Sequence, residues 1–590
     1  QIGVEGTIIK NKIEEELMKT KVLSCFIIFA MLLSTFLLEF PAIAADTAAW
    51  DGSVAASFSG GSGTADDPWK ISNGSELAYL ASLVNSNGSA TYNQYYILTA
   101  DIDLGGREWT GIGNQNNAAK AFKGKFDGNG KVITGFAIEE ERDYTPGLFG
   151  LLDGGAVVKN LTVHGCIRAG SKKDFGGLLC ASVNGGSAVA NCTVYADVQI
   201  TREAGSKDLY FGGITGRLAP GGKIQDCTVL GKIQLQVTAS ATNTQRQYTA
   251  GIAARIDAAQ ITNCTNYADI SQNFTGSATI AYSGGIVAVG DAAKDTTVSI
   301  SNCVNYGDIF VETNGGHGRT GGIIGNARSK AVYNIENCFN AGKMLSGKGT
   351  NSSYMGELVG LNEAKQLSLK NCYASGHNLA GNKGQTWSDS GCVTDITLKT
   401  LPGASVRLND PTGLRFDTEI KKSTLDTLLK ADNVTVKIGT LIAPTKYVKA
   451  VGTFTADALD TYKNEQGFAF DPYINVPFDT TVYKFLEETD TAYTFSGAVA
   501  NLYESNYNLA YSAVGYLTIT VGDLSVTFYS DYIEQDHSRT IASVARDAYN
   551  DRADVQSEDY PYYVDKEGNY SPYSNSSLAK IKAFADAYME

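Results

Sequence analysis

The chain has 590 residues and a formal net charge of −14, with 19% charged residues against about 25% in an average soluble domain. Its 63 glycines, 11 prolines and 43% hydrophobic residues exclude a disordered chain, a coiled coil and a collagen. Four histidines leave little room for histidine-based catalysis or a zinc centre.

Residues 1–17 read as an untranslated upstream segment before Met18, the first methionine. From Met18 a secretory leader is expected at 18–44: Lys19 and Lys21, an apolar run at 22–38, then Ala42-Ile43-Ala44, with cleavage between Ala44 and Ala45. The expected location is therefore extracellular or at the cell surface. With the leader removed no other long apolar run remains, so no membrane span is expected. The acidic balance also speaks against a nucleic-acid partner.

The middle of the chain repeats. Cys192, Cys227, Cys264, Cys303, Cys338 and Cys372 follow one another at intervals of 34 to 39 residues. Each is preceded by Asn191, Asp226, Asn263, Asn302, Asn337 or Asn371, and an apolar residue stands three before each. A glycine-apolar strand lies upstream of each cysteine, as in Gly284-Gly285-Ile286-Val287 and Gly321-Gly322-Ile323-Ile324. An earlier unit carries Leu161 in the cysteine position, so seven units are predicted. One such unit of three short strands cannot bury its own apolar face, so the units must stack, which predicts a parallel β-helix. The domain plan is an entry or cap region at 45–146, the repeats at 147–403 and an acidic β-rich domain at 404–590.

Tyr282 to Val287 followed by Ile300-Ser301-Asn302-Cys303-Val304-Asn305-Tyr306-Gly307-Asp308-Ile309 resembles the GLUG-motif repeats of bacterial surface proteins. Asp67-Pro68-Trp69-Lys70-Ile71, a helix at 75–85, Asp101-Ile102-Asp103-Leu104 and Trp109-Thr110-Gly111-Ile112-Gly113 look like the entry segment of such arrays. The resemblance spans roughly residues 65–380. It implies a right-handed β-helix in a secreted or cell-surface protein, often an adhesin-like stalk. Peptidases that carry such repeats have a zinc domain with His-Glu-x-x-His. The four histidines here are scattered, so that activity is not carried over.

Stacking turns each repeated position into a column about 4.8 Å apart per rung. The cysteine column then reads as buried, reduced thiols serving as small apolar fillers, because parallel neighbours point the same way and oppose disulfide geometry. The alternative is one or two bridges involving Cys166, Cys180 or Cys392. The asparagine column marks a corner, since asparagine tolerates left-handed angles and its amide can bond along the stack. Asn266, Asn305 and Asn340 suggest a second, shorter ladder.

The column five after each cysteine reads Asp197, Lys232, Asp269, Asp308, Lys343 and His377. Asp269 and Asp308 as neighbours have the spacing of a retaining glycosidase pair or a calcium pair. Against this stands a solvated turn of offsetting charges, with no aromatic sugar platform beside it. Asp127-Gly128-Asn129-Gly130 reads as a hairpin turn. No nucleophile elbow, phosphate loop or EF-hand loop occurs, so no enzyme and no cofactor is expected, and calcium has no ligand set.

Beyond Leu401-Pro402-Gly403 cysteine disappears. Residues 404–590 hold 16 Lys and Arg against 27 Asp and Glu, a net of −11. Strands are expected at 405–408, 413–416, 434–442, 493–502, 516–520 and 524–529. Helices are expected at 424–430 with Ser423 as cap, at 539–550 and at 577–588. The whole is a β-sandwich with peripheral helices. The set Pro411 to Phe416, Gly439 to Pro444 and Gly515 to Leu517 resembles a domain recurrent in secreted multidomain proteins of Gram-positive bacteria. Tyr560, Tyr562, Tyr563, Tyr570 and Tyr573 form a tyrosine-rich tail, read as a packed linker or a surface for sugars. The overall expectation is an adhesin-like protein that binds glycans or extracellular proteins. A β-helical lyase or glycosidase using Asp269 and Asp308, and a stalk with no ligand of its own, are the alternatives.

Overall fold

The computed structural model describes residues 48–553 except 115–116, 140–146, 169–174, 204–207, 239–245, 275–279, 314–316, 329, 348–353, 377–378, 382–386 and 408–410, and beyond them 562–564, 570–572, 583 and 586–587. The expected leader with its Ala44–Ala45 cleavage site, His377, Tyr560, Tyr573 and most of the last expected helix lie outside the described residues.

The repeats form a parallel β-solenoid of about seven turns, built from a large parallel sheet, a second of six strands and a third of seven. The rung that starts at Gln260 shows the plan. Gln260–Thr262, Thr265–Asn266 and Asp269–Phe274 run along the large sheet, Ile280–Gly284 along the second and Val287–Gly290 along the third. Apolar residues stand in register up the stack, as in Ile233, Ile270, Ile309 and Met344. Together with the cysteines they fill a continuous core.

The stack is joined at its start by Trp69–Ile71, Tyr95–Leu98, Ile102–Glu108 and Lys125–Ile138, which pair in parallel with one another and with the first repeat. The helix Gly74–Asn87 lies against this end and adds Leu77, Leu80 and Val84 to the core. Its start is capped from both sides: the N-cap Asn73 Oδ1 accepts the Glu76 N–H at 3.0 Å, and Glu76 Oε2 accepts the N–H of Ser72, one residue before the cap, at 2.6 Å. Asp127-Gly128-Asn129-Gly130 is not a hairpin turn. It lies within Lys125–Ile138 as a corner of the parallel stack, with Asn129 and Gly130 at φ 52° and 70°. Left-handed corners and hairpin turns call on the same residue types.

The corner asparagines behave as expected. Asn160, Asn191, Asp226, Asn263, Asn302, Asn337 and Asn371 all have φ between 48° and 55°. Each amide donates to the residue one rung back: Asn371 to Asn337 at 3.2 Å, Asn337 to Asn302 at 2.9 Å, Asn302 to Asn263 at 3.0 Å and Asn263 to Asp226 at 2.9 Å. Asp226 has no amide hydrogen to pass on, so the ladder restarts below it, from Asn191 to Asn160 at 2.9 Å and from Asn160 to Asp127 at 2.9 Å. A carboxylate therefore accepts at the foot of each segment. Burial pushes Asp127 up, but hydrogen bonds from Asn160 and Asn129 and the Lys159 ammonium hold it below its ordinary pKa.

The second ladder is fully buried and runs the other way. Asn266 donates to Asn305 and Asn305 to Asn340, each at 2.8 Å, and Asn340 donates to Glu357 at 3.1 Å.

The C-terminal region packs two antiparallel sheets. One holds Leu398–Thr400, Ser405–Arg407, Gly413–Lys421, Ala492–Ala500 and Glu487–Glu488; the other holds Ile474–Phe478, Val434–Pro444, Tyr511–Val521, Leu524–Tyr529 and Ser538–Arg539. Leu398–Thr400 thus enters this sheet before residue 404. The helix expected at 424–430 spans Lys422–Lys430, so Ser423 sits in its first turn, and Lys421 at the cap position makes no side-chain cap bond. The helix expected at 539–550 spans Ile541–Ala553. Thr445–Val451 and Ala456–Gln466 are helices that the sequence reading missed.

The two sheets approach closely where glycine faces threonine. A Cβ on Gly497 would lie 2.3 Å from Thr440, and one on Gly515 would lie 2.2 Å from Thr418. Thr418 Oγ1 and Thr440 Oγ1 are buried there without a hydrogen-bond partner among the described residues. Exchanging such a hydroxyl for a methyl relieves a desolvation cost of about 1 kcal/mol. Thr440→Val and Thr418→Val are each expected to raise the denaturant midpoint, and a lowered midpoint would contradict this.

Candidate functional site

The register unites the charged column as expected. Asp197 pairs with Lys232, Lys232 with Asp269, and the next rungs align Asp308 with Asp269 and Lys343 with Asp308. Asp269 and Asp308 are thus neighbours on an outward turn. The Asp269 Oδ1 accepts the Asp308 N–H at 2.9 Å, and the Asp308 Oδ1 accepts the Lys343 N–H at 2.8 Å. Each carboxylate caps the backbone of the rung above. Opposite charges offset along the column: Asp197 is paired with Arg168 and lies 3.9 Å from Lys232, and Lys343 bonds Asp531 of the C-terminal region at 2.7 Å.

Partial desolvation pushes the Asp269 pKa up, opposed by the bond from the Asp308 N–H and reinforced by the Asp308 charge. A raised folded-state pKa means that ionisation at neutral pH costs stability. Asp269→Asn keeps an acceptor for the Asp308 N–H and sheds the charge, so its stability at pH 7.5 is expected to equal or exceed that of the parent. Asp269→Ala loses the cap and is expected to cost about 1 kcal/mol. Urea melts of both variants check the order.

The expectation that no aromatic platform accompanies this pair is corrected. Two residues before the charges at 197, 232, 269, 308 and 343 stands a second outward column, Tyr195, Leu230, Tyr267, Tyr306 and Ala341, which His164 extends one rung earlier. His164 stacks on Tyr195 at 4.1 Å and 18°, and Tyr267 on Tyr306 at 4.8 Å and 6°. Tyr267 is 43% exposed. The signal was present in Tyr195-Ala196-Asp197, Tyr267-Ala268-Asp269 and Tyr306-Gly307-Asp308, where the small middle residue points inward and its two neighbours point out. Tyr306 also packs against the C-terminal region, so the ribbon runs into the joint between the two parts of the chain.

A second stack, of Phe175, Tyr210, Tyr248 and Tyr282, lies on the second sheet with rings 4.1 to 4.8 Å apart and Arg319 following at 4.9 Å. Its tyrosines are buried, and nearby Arg217, Arg255 and Arg328 pair with Asp257 and Asp291. It packs the scaffold as a buried cluster, with Phe175 half-buried at its end.

The thiols form one column, with Cys392 as a seventh member beyond Cys372, set by the pairs Lys370–Ser390 and Tyr373–Val393. All nine described cysteines are free, and each ladder thiol lies near the carbonyl two residues before it. Among the described residues no three His, Cys, Asp or Glu side chains converge on a metal position, and no helix is long and apolar enough to cross a membrane.

His537 is a buried histidine of the C-terminal region. Its Nδ1 accepts the Ile533 N–H at 3.1 Å. Burial lowers its pKa, and Arg539 adds to this, against opposing effects of Thr400, Asp536 and Asp531. Burial likewise lowers His164. Below about pH 6.5 the unfolded chain therefore takes up protons that the folded chain refuses, so stability falls as the pH drops through that value. The denaturant midpoint is expected to fall between pH 7.5 and 5.5, and the double variant His164→Gln, His537→Gln is expected to flatten that change.

No family model matches the chain. Halomucin of Haloquadratum walsbyi is 33% identical over 144 residues, covering 23% of this chain and 2% of its own length. A putative Gly-rich membrane protein of Evansella cellulosilytica is 34% identical over 108 residues, covering 18% of this chain and 12% of its own length. The chain thus matches only small parts of these relatives, and the likeness is compatible with a surface protein.

Proposed function

We propose that the chain is a secreted or cell-surface, adhesin-like protein of the GLUG-repeat type, and that its outer ribbon binds glycans. The observation that carries this is the pairing of two outward columns at rung spacing, one aromatic and one charged, open at Tyr267 and ending at the C-terminal joint. The stacked rings cover one another's faces, so most of the ribbon offers ring edges, phenol hydroxyls and carboxylates. Those groups suit the hydroxyls of a sugar chain. Leu230 breaks the stack between Tyr195 and Tyr267 and continues the column with an apolar side chain.

A glycan array with the protein tests this. Binding is expected, and Tyr267→Ala is expected to weaken it at least tenfold. Binding that survives both Tyr267→Ala and Asp308→Asn would remove the ribbon from the reading. The enzymatic alternative requires a carboxylate free to exchange a proton with substrate, whereas Asp269 and Asp308 already cap backbone amides. Sugar release that disappears in Asp269→Ala and Asp308→Ala would favour it nonetheless.

A further inference from the structure

We propose that Cys372 and Cys392 are a site of oxidative modification, joined as a disulfide that staples the last rung of the solenoid. The two residues are aligned in register, flanked by the pairs Lys370–Ser390 and Tyr373–Val393. Adjacent strands lie about 4.8 Å apart, inside the Cα separation that a disulfide spans. The inner five thiols, from Cys227 to Cys372, each have a ladder cysteine on both sides, so their rotamers are fixed between two rungs. Cys392 closes the column and has a neighbour on one side among the described residues. It is partly exposed where Cys372 is fully buried. Its sulfur lies 3.8 Å from the Ser390 carbonyl, against 3.1 to 3.3 Å for the equivalent contacts of Cys192 to Cys372. It is therefore the ladder thiol most free to turn out of the common direction that opposes a bridge elsewhere in the column, and the ladder thiol a reagent reaches first.

A small-molecule disulfide is the oxidant. The Cys392 thiolate attacks one of its sulfurs and expels a thiolate, leaving a mixed disulfide on Cys392. The Cys372 sulfur, after losing its proton, attacks Sγ of Cys392 and expels the second thiolate. Two cysteine thiols lose two electrons and two protons, and the reagent is reduced to two thiols. The neighbouring Cys372 sulfur and burial push the Cys392 pKa up, so the reaction quickens with alkaline pH. The product ties the strand Trp387–Ser390 to the stack just before Ile396 and Leu398 enter the joint.

The test incubates the protein with oxidised glutathione at pH 8.5, alkylates the free thiols in denaturant and maps tryptic peptides. Cleavage after Lys370, Lys383 and Lys399 places the two cysteines on separate peptides. The expected result is one cross-linked pair, Cys372 with Cys392, with the other ladder cysteines alkylated, and a melting midpoint raised by several degrees. Cys392→Ser and Cys392→Ala are expected to abolish the link and the rise. Glutathione retained on Cys392 without a link, a link between other cysteines, or no reaction overturns the proposal. Should both variants misfold, the map of the parent protein decides alone.

Discussion

Gly285→Ala is expected to unfold the centre of the solenoid. A Cβ at this position would lie 2.2 Å from Asn305 Cγ and 2.2 Å from the carbonyl oxygen of Gly322. Neither can yield. The Asn305 amide is held by three hydrogen bonds: it accepts from Asn266 at 2.8 Å and donates to Asn340 at 2.8 Å and to the Gly307 carbonyl at 2.9 Å. Moving it breaks a buried polar chain, whose members then lack partners away from water. Moving Gly322 instead shifts the next rung against its neighbours. Gly251 and Gly322 meet Asn266 and Asn340 in the same way, at 2.2 and 2.1 Å. In these three units the glycine upstream of the cysteine is thus the space that the buried asparagine fills. A loss of about 3 kcal/mol or more is expected, because overpacking and amide disruption add. Gly155→Ala is the control: it has φ 76° and nothing within 4 Å of a Cβ, so backbone strain alone is expected to cost about 1 kcal/mol. A Gly285→Ala protein that melts within about 2 °C of the parent would refute the argument.

This pairing shows which parts of the fold the sequence disclosed. The cysteine spacing set the period, and with it the register of Ile233, Ile270, Ile309 and Met344. The left-handed asparagine corner and both ladders followed, because side-chain chemistry and a fixed rung spacing determine them. The outer tyrosines were missed although they share the same period, because one outward column was read and the neighbouring one was not. Cys392, a bridge candidate, stands outside the repeat period as a column member because it follows Cys372 by only 20 residues and has no Gly-Gly strand before it. Asp127–Gly130 was misread because its residues serve a hairpin and a left-handed corner equally well. The joint with the C-terminal region depends on contacts between distant segments, which no local period announces.

One sequence feature does mark that joint. The outward residue after each cysteine is Thr193, Thr228 and Thr265 in the early units, then Val304, Phe339, Tyr373 and Val393. Outward threonines suit a solvated strand, and the later residues do not. Val304, Phe339, Tyr373 and Val393 are buried in a core shared with Leu398, Ile420, Leu425, Phe495, Leu517 and Phe528 of the C-terminal region. Phe339 is fully buried and stacks on Tyr373 at 4.8 Å. Phe339→Ala removes this ring from the middle of the interface and is expected to cost about 3 to 4 kcal/mol. Because each solenoid rung is also held by its neighbours, that loss is expected to fall on the docking of the two parts. Limited proteolysis should then cut the connecting residues 393–403 faster than in the parent, while the repeats stay protected. Lys343→Ala, which removes the exposed ion pair to Asp531, is expected to change the cutting rate little, since such a pair contributes under about 1 kcal/mol. Equal cutting of Phe339→Ala and the parent would show that the shared core does not hold the C-terminal region in place.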